Sequence, residues 1–173
     1  MTVSLADRTV LARRGSIVLT EQLPADAERL ASRPDSAFEV DKGLHSDPLP
    51  ITTVIRHAAV LDSAAEELLG SVTWRAVTYG PVTSCLAWNI GIYLLPYARG
   101  RGAGSTAVGV LGEYLFATTG FCRLEYQTDI DNRAAQRTAE RAGFQREGIL
   151  RGAQLRGGRR RDLVSYSLLR SDP

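Results

Sequence analysis

Residues 99 to 106 read Arg99, Gly100, Arg101, Gly102, Ala103, Gly104, Ser105, Thr106. Guanidinium groups, glycines and hydroxyls crowded in this way suit an anion. Glycine takes positive φ without a Cβ clash, so successive N–H groups can converge on one concavity. An apolar helical pattern follows, with Val108, Leu111, Gly112, Leu115 and Phe116 at i, i+3, i+4, i+7 and i+8. The start of that helix adds unpaired N–H groups and the positive end of its dipole. Before the turn, "NIGIYLL" reads as a strand. Strand, glycine turn and helix in this order point to a diphosphate.

Three classes of phosphate site compete. A Walker-type loop needs a lysine after its last glycine, and Gly104 is followed by Ser105. A dinucleotide fingerprint needs a glycine turn directly after its strand and an acid about 20 residues further on. Glu125 is loosely in range, but "LPYAR" separates strand from glycines and the glycine spacing differs. A nicotinamide-binding protein is thus a weaker alternative, which affinity for NAD(P) would favour. The third class rests on further motifs along the chain.

The elements that must hold this turn can be read on either side of it. "SIVLT" is a short strand, and a helix starts near Pro24 in "LPADAERLAS". The N-terminal "MTVSLADRTVLARRG" suits an amphipathic lead-in and lacks the apolar core of a secretory signal. Residues 35 to 50 are irregular, with a short helix around "DSAFEVDKGL". "ITTVIRHAAV", "LLGSVTWRAVTYG" and "SCLAWNIGIYL" are strands, and Gly80-Pro81 marks a turn between the last two. After the glycine turn and its helix, "FCRLEYQTD" is a strand. "NRAAQRTAERAGF" is a helix capped by Asn132 or Asp131 and stopped at Gly143. "REGILRGAQL" and "RDLVSYSLLR" close the chain as a hairpin. The order implies a mixed α/β domain, a single one over residues 1–173, with an antiparallel first half and one crossover helix.

Bulk properties narrow the function. A hydrophobic share of 44% with 23% charged residues is ordinary for a soluble globular protein. No stretch approaches the roughly 20 apolar residues of a membrane span, so no membrane role is expected. A net charge of +2 is too small to imply nucleic acid. Cys85 and Cys122 lie far apart, which excludes a zinc cluster or redox pair and suggests two buried reduced thiols in a cytoplasmic protein. His45 and His57 are the only histidines, so no metal site is expected. Lys42 is the only lysine, so any anion here meets forked, permanently charged arginines.

Several motifs in order then carry a resemblance. Arg99-x-x-Gly102-x-Gly104 resembles the Q/R-x-x-G-x-G/A signature of the GNAT superfamily of acyl-CoA-dependent N-acetyltransferases. "DIDNRAAQRTAERAGF", ending in Gly143-Phe144, looks like that superfamily's second motif. "REGILRG" and "GGRRRDLVSYSLLR" are similar to the tail of the ribosomal-protein alanine and serine acetyltransferase (RimJ/RimL-like) branch. "LLGSVTW" and "AWNIGIYL" resemble its central strands. The likeness runs from about Ile51 to Arg170, with the N-terminal third matching by position only.

The resemblance implies a mostly antiparallel mixed sheet with a V-shaped splay between "NIGIYL" and "RLEYQT", and helices on its flanks. It implies acetyl-CoA as co-substrate and an amine acceptor, either a protein N-terminus or a small molecule. The backbone of Ile92 would face the thioester carbonyl, as in an oxyanion hole, and that of Leu94 the pantetheine amides. Arg99, Gly100, Arg101, Gly102, Ala103 and Gly104 would hold the pyrophosphate, with Ser105 and Thr106 close by. Asn132 would contact the cofactor, cap its helix, or both, and Arg137 could reach the nucleotide end. A homodimer is in keeping with the superfamily.

The sequence departs from the pattern where protons are handled. Asn89 stands where a glutamate is common, Ala139 where a tyrosine is common, and Ala135 replaces a frequent serine. Tyr126 and Tyr166, on strands flanking the gap, are the candidate acids. Glu39, Asp41 and His45 are thinner alternatives in the segment expected to line the acceptor site. Arg156, Arg159, Arg160 and Arg161 read as a solvated hairpin cluster, with Asp162 available to pair with one of them. The missing groups also admit a second class of function, a CoA-binding regulatory module without catalysis.

Overall fold

Apolar residues at a spacing of two make strands with one side to bury, and here they line up edge to edge. The computed structural model describes residues 4–32 and 54–173. In chain order the elements are β1 (Val10–Arg14), β2 (Ile17–Glu21), α1 (Pro24–Ala31), β3 (Arg56–Asp62), β4 (Glu67–Thr78) and β5 (Leu86–Leu94). They continue with α2 (Ala103–Thr118), β6 (Arg123–Asp129), α3 (Arg133–Arg141), β7 (Gln145–Arg156) and β8 (Arg159–Leu169). All eight strands join one sheet in the order β1-β2-β3-β4-β5-β6-β8-β7. Every neighbouring pair is antiparallel except β5 and β6, which α2 connects as a parallel crossover.

The two faces are set by alternation along the strands. Ala58 and Val60 of β3 join the larger core, with Val72, Ile90, Leu111, Leu124, Ala139 and Val164. Ala59 and Leu61 point the other way, into a smaller cluster with Leu30 of α1, Leu68 and Leu95. So α2 and α3 cover one face, and α1 covers part of the opposite one.

Local chemistry sets the ends of the elements. Asp26 in the first turn of α1 accepts the Leu23 N–H at 3.0 Å. Its carboxylate also forms a nearly solvent-free ion pair with Arg8, at 2.6 and 2.9 Å. Asn132 Oδ1 accepts the Ala135 N–H at 3.1 Å and caps α3. The Phe144 N–H reaches back to the Ala139 carbonyl at 3.0 Å, with Gly143 at φ +90° between.

Three expectations change. The amphipathic lead-in contains a strand, β1, which extends the sheet beyond "SIVLT". The third strand begins only at Arg56, while Val54 and Ile55 precede it exposed. The thiols are free but not buried, since Cys122 is exposed and Cys85 half-buried. The helix expected around residues 35 to 44, together with Glu39, Asp41 and His45, lies outside the described residues. Among those described, no helix is long and apolar enough to cross a membrane.

Candidate active site

β5 has two unlike edges. Against β4 it is paired from Leu86 to Leu94. Against β6 only Trp88↔Leu124, Asn89↔Glu125 and Ile90↔Tyr126 are paired. Beyond those pairs β5 runs on to Leu94 and β6 to Asp129 without meeting. The Leu95 N–H donates to the Leu69 carbonyl at 2.9 Å. In an antiparallel pair such bonded residues alternate, so odd-numbered β5 residues spend their main-chain groups on β4 and even-numbered ones turn toward β6. Ile92 and Leu94 therefore present main-chain groups to the gap. Arg99 Nε takes the Leu94 carbonyl at 3.0 Å, which ties the glycine turn to the strand end.

The gap opens into a cleft of about 710 Å³ that passes through the sheet. On the α2/α3 face it is lined by Ile92, Leu94, Arg99, Gly100, Gly102, Gly104, Ser105, Tyr126 and Asn132, with Arg137 and Arg141 of α3. On the other face Gly91, Gln127, Asp129, Gln154 and Arg156 line it. Gly102 at φ +83° is the N-cap residue of α2, a backbone state that a side chain adopts only under strain. A Cβ there would meet no atom within 4 Å, so the space before the turn is open to a guest. At Gly104 the helix packs on β5 at ordinary contact distance, for a Cβ there would stand 3.4 Å from Leu94 Cδ1. The Ser105 hydroxyl donates to the Gly102 carbonyl at 2.9 Å.

Three residues of the turn look elsewhere. Arg101, Ala103 and Thr106 line a separate cavity of about 310 Å³, with Arg14, Asp62 and Glu67. Tyr166 is fully buried beside its register partner Tyr126, and its hydroxyl donates to Glu140 at 3.2 Å instead of entering the cleft. Burial pushes the Tyr126 phenol well above its ordinary pKa. Burial, then the charge and hydrogen bond of Glu140, raise that of Tyr166. Both phenols thus keep their protons at neutral pH. Asn89 accepts Arg75 Nε at 3.4 Å, Ala139 lies in the core, and Ala135 lines the cleft.

The hairpin arginines are not all solvated. Arg156 forms an ion pair with buried Asp129, and its side chain is 12% exposed. Arg161 pairs with Asp131, while Asp162 accepts the Gly152 N–H at 2.8 Å instead of an arginine. Gln127, Asp129 and Gln154 were passed over in the sequence. Alternation beyond Glu125 was the available signal, but which edge they face depends on where the strands part. Among the described residues no cluster of histidine, cysteine and carboxylate side chains could hold a metal ion. The arrangement can accept an extended amide-bearing chain along β5 and an anion at the start of α2.

Comparison with known proteins places this geometry. The family model for the acetyltransferase (GNAT) domain matches residues 22–145. No curated protein matches the chain. RimJ from Mycobacterium smegmatis, solved in complex with CoA-disulfide, is 15% identical, with a TM-score of 0.71 over 94% of this chain and 87% of its own. The ribosomal-protein-S5-alanine acetyltransferase of Vibrio fischeri is 21% identical, with a TM-score of 0.60 over 68% of this chain and 63% of its own. A GCN5-related N-acetyltransferase from Brucella melitensis is 31% identical, with a TM-score of 0.57 over 68% of this chain and 52% of its own. The present chain thus spans roughly half to two thirds of the latter two and most of the first. A mostly antiparallel sheet parted beside its one parallel junction, a glycine turn at the mouth and a family match over residues 22–145 agree, and the chain belongs to the GNAT acetyltransferase family.

Proposed function

We propose that this protein is an N-acetyltransferase that moves an acetyl group from acetyl-CoA to a primary amine by direct attack on the thioester. One observation carries the reading: main-chain groups of Ile92 and Leu94 face a gap that ends at a glycine turn on a helix start. In this reading the Leu94 N–H and the Ile92 carbonyl receive the amide-bearing arm as an added strand. The Ile92 N–H stabilises charge developing on the thioester oxygen. The N–H groups between Arg99 and Gly104 hold the diphosphate, with the Ser105 hydroxyl near. Arg101, Ala103 and Thr106 contribute through the backbone, since their side chains lie along the other cavity. Asn132 both caps α3 and borders the cleft. Tyr126, protonated and at the cleft wall, is the acid for the leaving thiolate. Tyr166 supports it from behind.

The acceptor is a protein N-terminus or a small-molecule amine, and the free thiols are in keeping with a cytoplasmic setting. The second reading, a CoA-binding module without catalysis, draws on Asn89 and Ala139, which offer no proton handler. Titration calorimetry with acetyl-CoA, followed by thiol release against alanyl and seryl peptides and small amines, separates the two. Binding with turnover is expected. Tight binding with no turnover across the panel selects the module, and no binding of acetyl-CoA removes both.

A further inference from the structure

Asn89 offers no proton acceptor, but the residue beside it on the next strand does. Glu125 pairs in register with Asn89, one position before the last pair at which β5 and β6 still meet. It is 2% exposed, a buried acid with no part in the site described so far. Its Oε1 accepts the Tyr79 hydroxyl, and Arg123 Nε at 2.9 Å. Arg123 turns its other two nitrogens to both oxygens of Glu147, at 2.8 and 2.6 Å. The Ser167 hydroxyl donates to Glu147 at 2.8 Å.

Charge counting within this cluster leaves a remainder. Two carboxylates share one guanidinium, and the guanidinium gives its bidentate fork to Glu147. Glu125 is left with the single Nε contact at 2.9 Å and the Tyr79 hydroxyl, both on one oxygen. Arg75 is the neighbouring cation on β4, and it bonds to Asn89.

Position gives the remainder a use. Leu124 and Tyr126 point into the α2/α3 core, so Glu125 and Gln127 lie on the opposite face, where the cleft emerges past Gly91. Tyr79, in the loop after β4, is 67% exposed, so its phenol joins the buried carboxylate to solvent. The hydrogen bond to Glu125, then burial and the Glu125 charge, raise the Tyr79 pKa and keep it a proton donor to the carboxylate.

We propose that Tyr79 and Glu125 form the proton relay for the incoming amine, and that the acceptor is a cationic primary amine entering on this face. The proposal rests on the acetyl-transfer reading above. An ammonium N–H bond breaks and its proton passes through ordered water to the Tyr79 oxygen, while the Tyr79 proton moves to Glu125 Oε1. The freed nitrogen pair forms the bond to the thioester carbon, and the C–S bonding electrons leave on sulfur. Tyr126 gives its proton to that thiolate and takes the second nitrogen proton in return. Glu125 then returns its proton to solvent by way of Tyr79. A chain of several waters is needed because Asn89 lies about 10 Å along the strand from Ile92. Glu125 and Tyr79 act through that water, so they are relay residues.

The test uses Glu125→Gln and Tyr79→Phe in the full chain, with acetyl-CoA and two acceptor probes, an alanyl peptide and n-butylamine. Gln keeps an oxygen for Tyr79 and Arg123 but cannot take the proton. For E125Q we expect kcat at pH 7 to fall roughly 10- to 100-fold, with acetyl-CoA KM unchanged. With the alanyl peptide the deficit shrinks to a few-fold near pH 10, where solvent has already neutralised its α-amine, while with n-butylamine, still largely protonated there, it persists. Y79F gives the same pH pattern with a smaller loss. Its exposed ring keeps the question answerable should E125Q fold poorly. No loss in either variant, or an equal loss at every pH with the peptide, overturns the relay while leaving acetyl transfer intact. Failure of the wild type to turn over either probe, with acetyl-CoA bound, overturns the relay together with the acetyl-transfer reading and favours the CoA-binding module.

Discussion

β5 is bonded on one edge and parted on the other, and the two edges place different demands on the same residues. Toward β4 every position from Leu86 to Leu94 has a partner. Toward β6 pairing stops at Ile90. On the closed edge a change of side chain is a question of stability, because backbone meets backbone. On the parted edge the same change is a question of ligand. A binding cleft is thus made here by leaving a ladder unfinished, with its spare main-chain groups aimed into the space.

The largest effect should come from tightening the closed edge. An added Cβ at Gly70 would stand 2.0 Å from the Tyr93 carbonyl oxygen, so the backbone must shift. Gly70→Ala should lose about 3 kcal/mol or more in chemical denaturation. A near-neutral result would mean that β4 and β5 are less closely joined than described. Proline tests the alternation directly. Tyr93→Pro removes an N–H that faces β4 and should lose about 3 kcal/mol. Ile92→Pro removes one that faces the gap, so it should unfold at a clearly higher denaturant concentration than Y93P. Its deficit should appear in kcat, roughly 100-fold for one lost donor to the thioester oxygen. Equal destabilisation by the two prolines would dismiss the assignment of even-numbered residues to the cleft.

At the mouth of the gap, Gly102→Val forces a branched residue into a left-handed backbone and fills space before the turn. We expect about 1–2 kcal/mol of lost stability. Acetyl-CoA affinity should fall roughly 100-fold by calorimetry, or about 2.7 kcal/mol. Unchanged affinity would move the diphosphate elsewhere.

The smallest effect concerns the outer strands. Hydrogen bonding from Arg123 holds the Glu147 carboxyl below its ordinary range, outweighing burial. The folded value is depressed, so the stabilisation is present above the ordinary carboxylate range and lost as pH falls through the folded value. The Glu147 side chain is 40% exposed, so solvent screens the pair. Glu147→Gln should therefore cost less than about 1 kcal/mol of stability at neutral pH, read by chemical denaturation. The difference should vanish in acid.

Much of the glycine-turn side was legible because its determinants are local. Gly102 at the start of α2, Asn132 before α3 and Gly143 after it each answer a backbone requirement within a few residues. The order β5–α2–β6 already implied a parallel junction. The opposite face of the sheet was not legible in this way. Tyr79 meets Glu125 across 46 positions of sequence, and Arg156 meets Asp129 across 27. Tyr126 and Tyr166 looked equivalent as flanking-strand tyrosines, but only Tyr126 borders the cleft.

By itself, then, the sequence determined the glycine turn, the helix caps and the succession of elements from β5 onward, because dihedral limits, end-group hydrogen bonding and local periodicity act between neighbours along the chain. The tertiary structure alone decided where β5 and β6 part, which phenol reaches the gap and which carboxylate meets the Tyr79 hydroxyl. Those outcomes follow from sheet twist and long-range register, which bring together groups that no local pattern links.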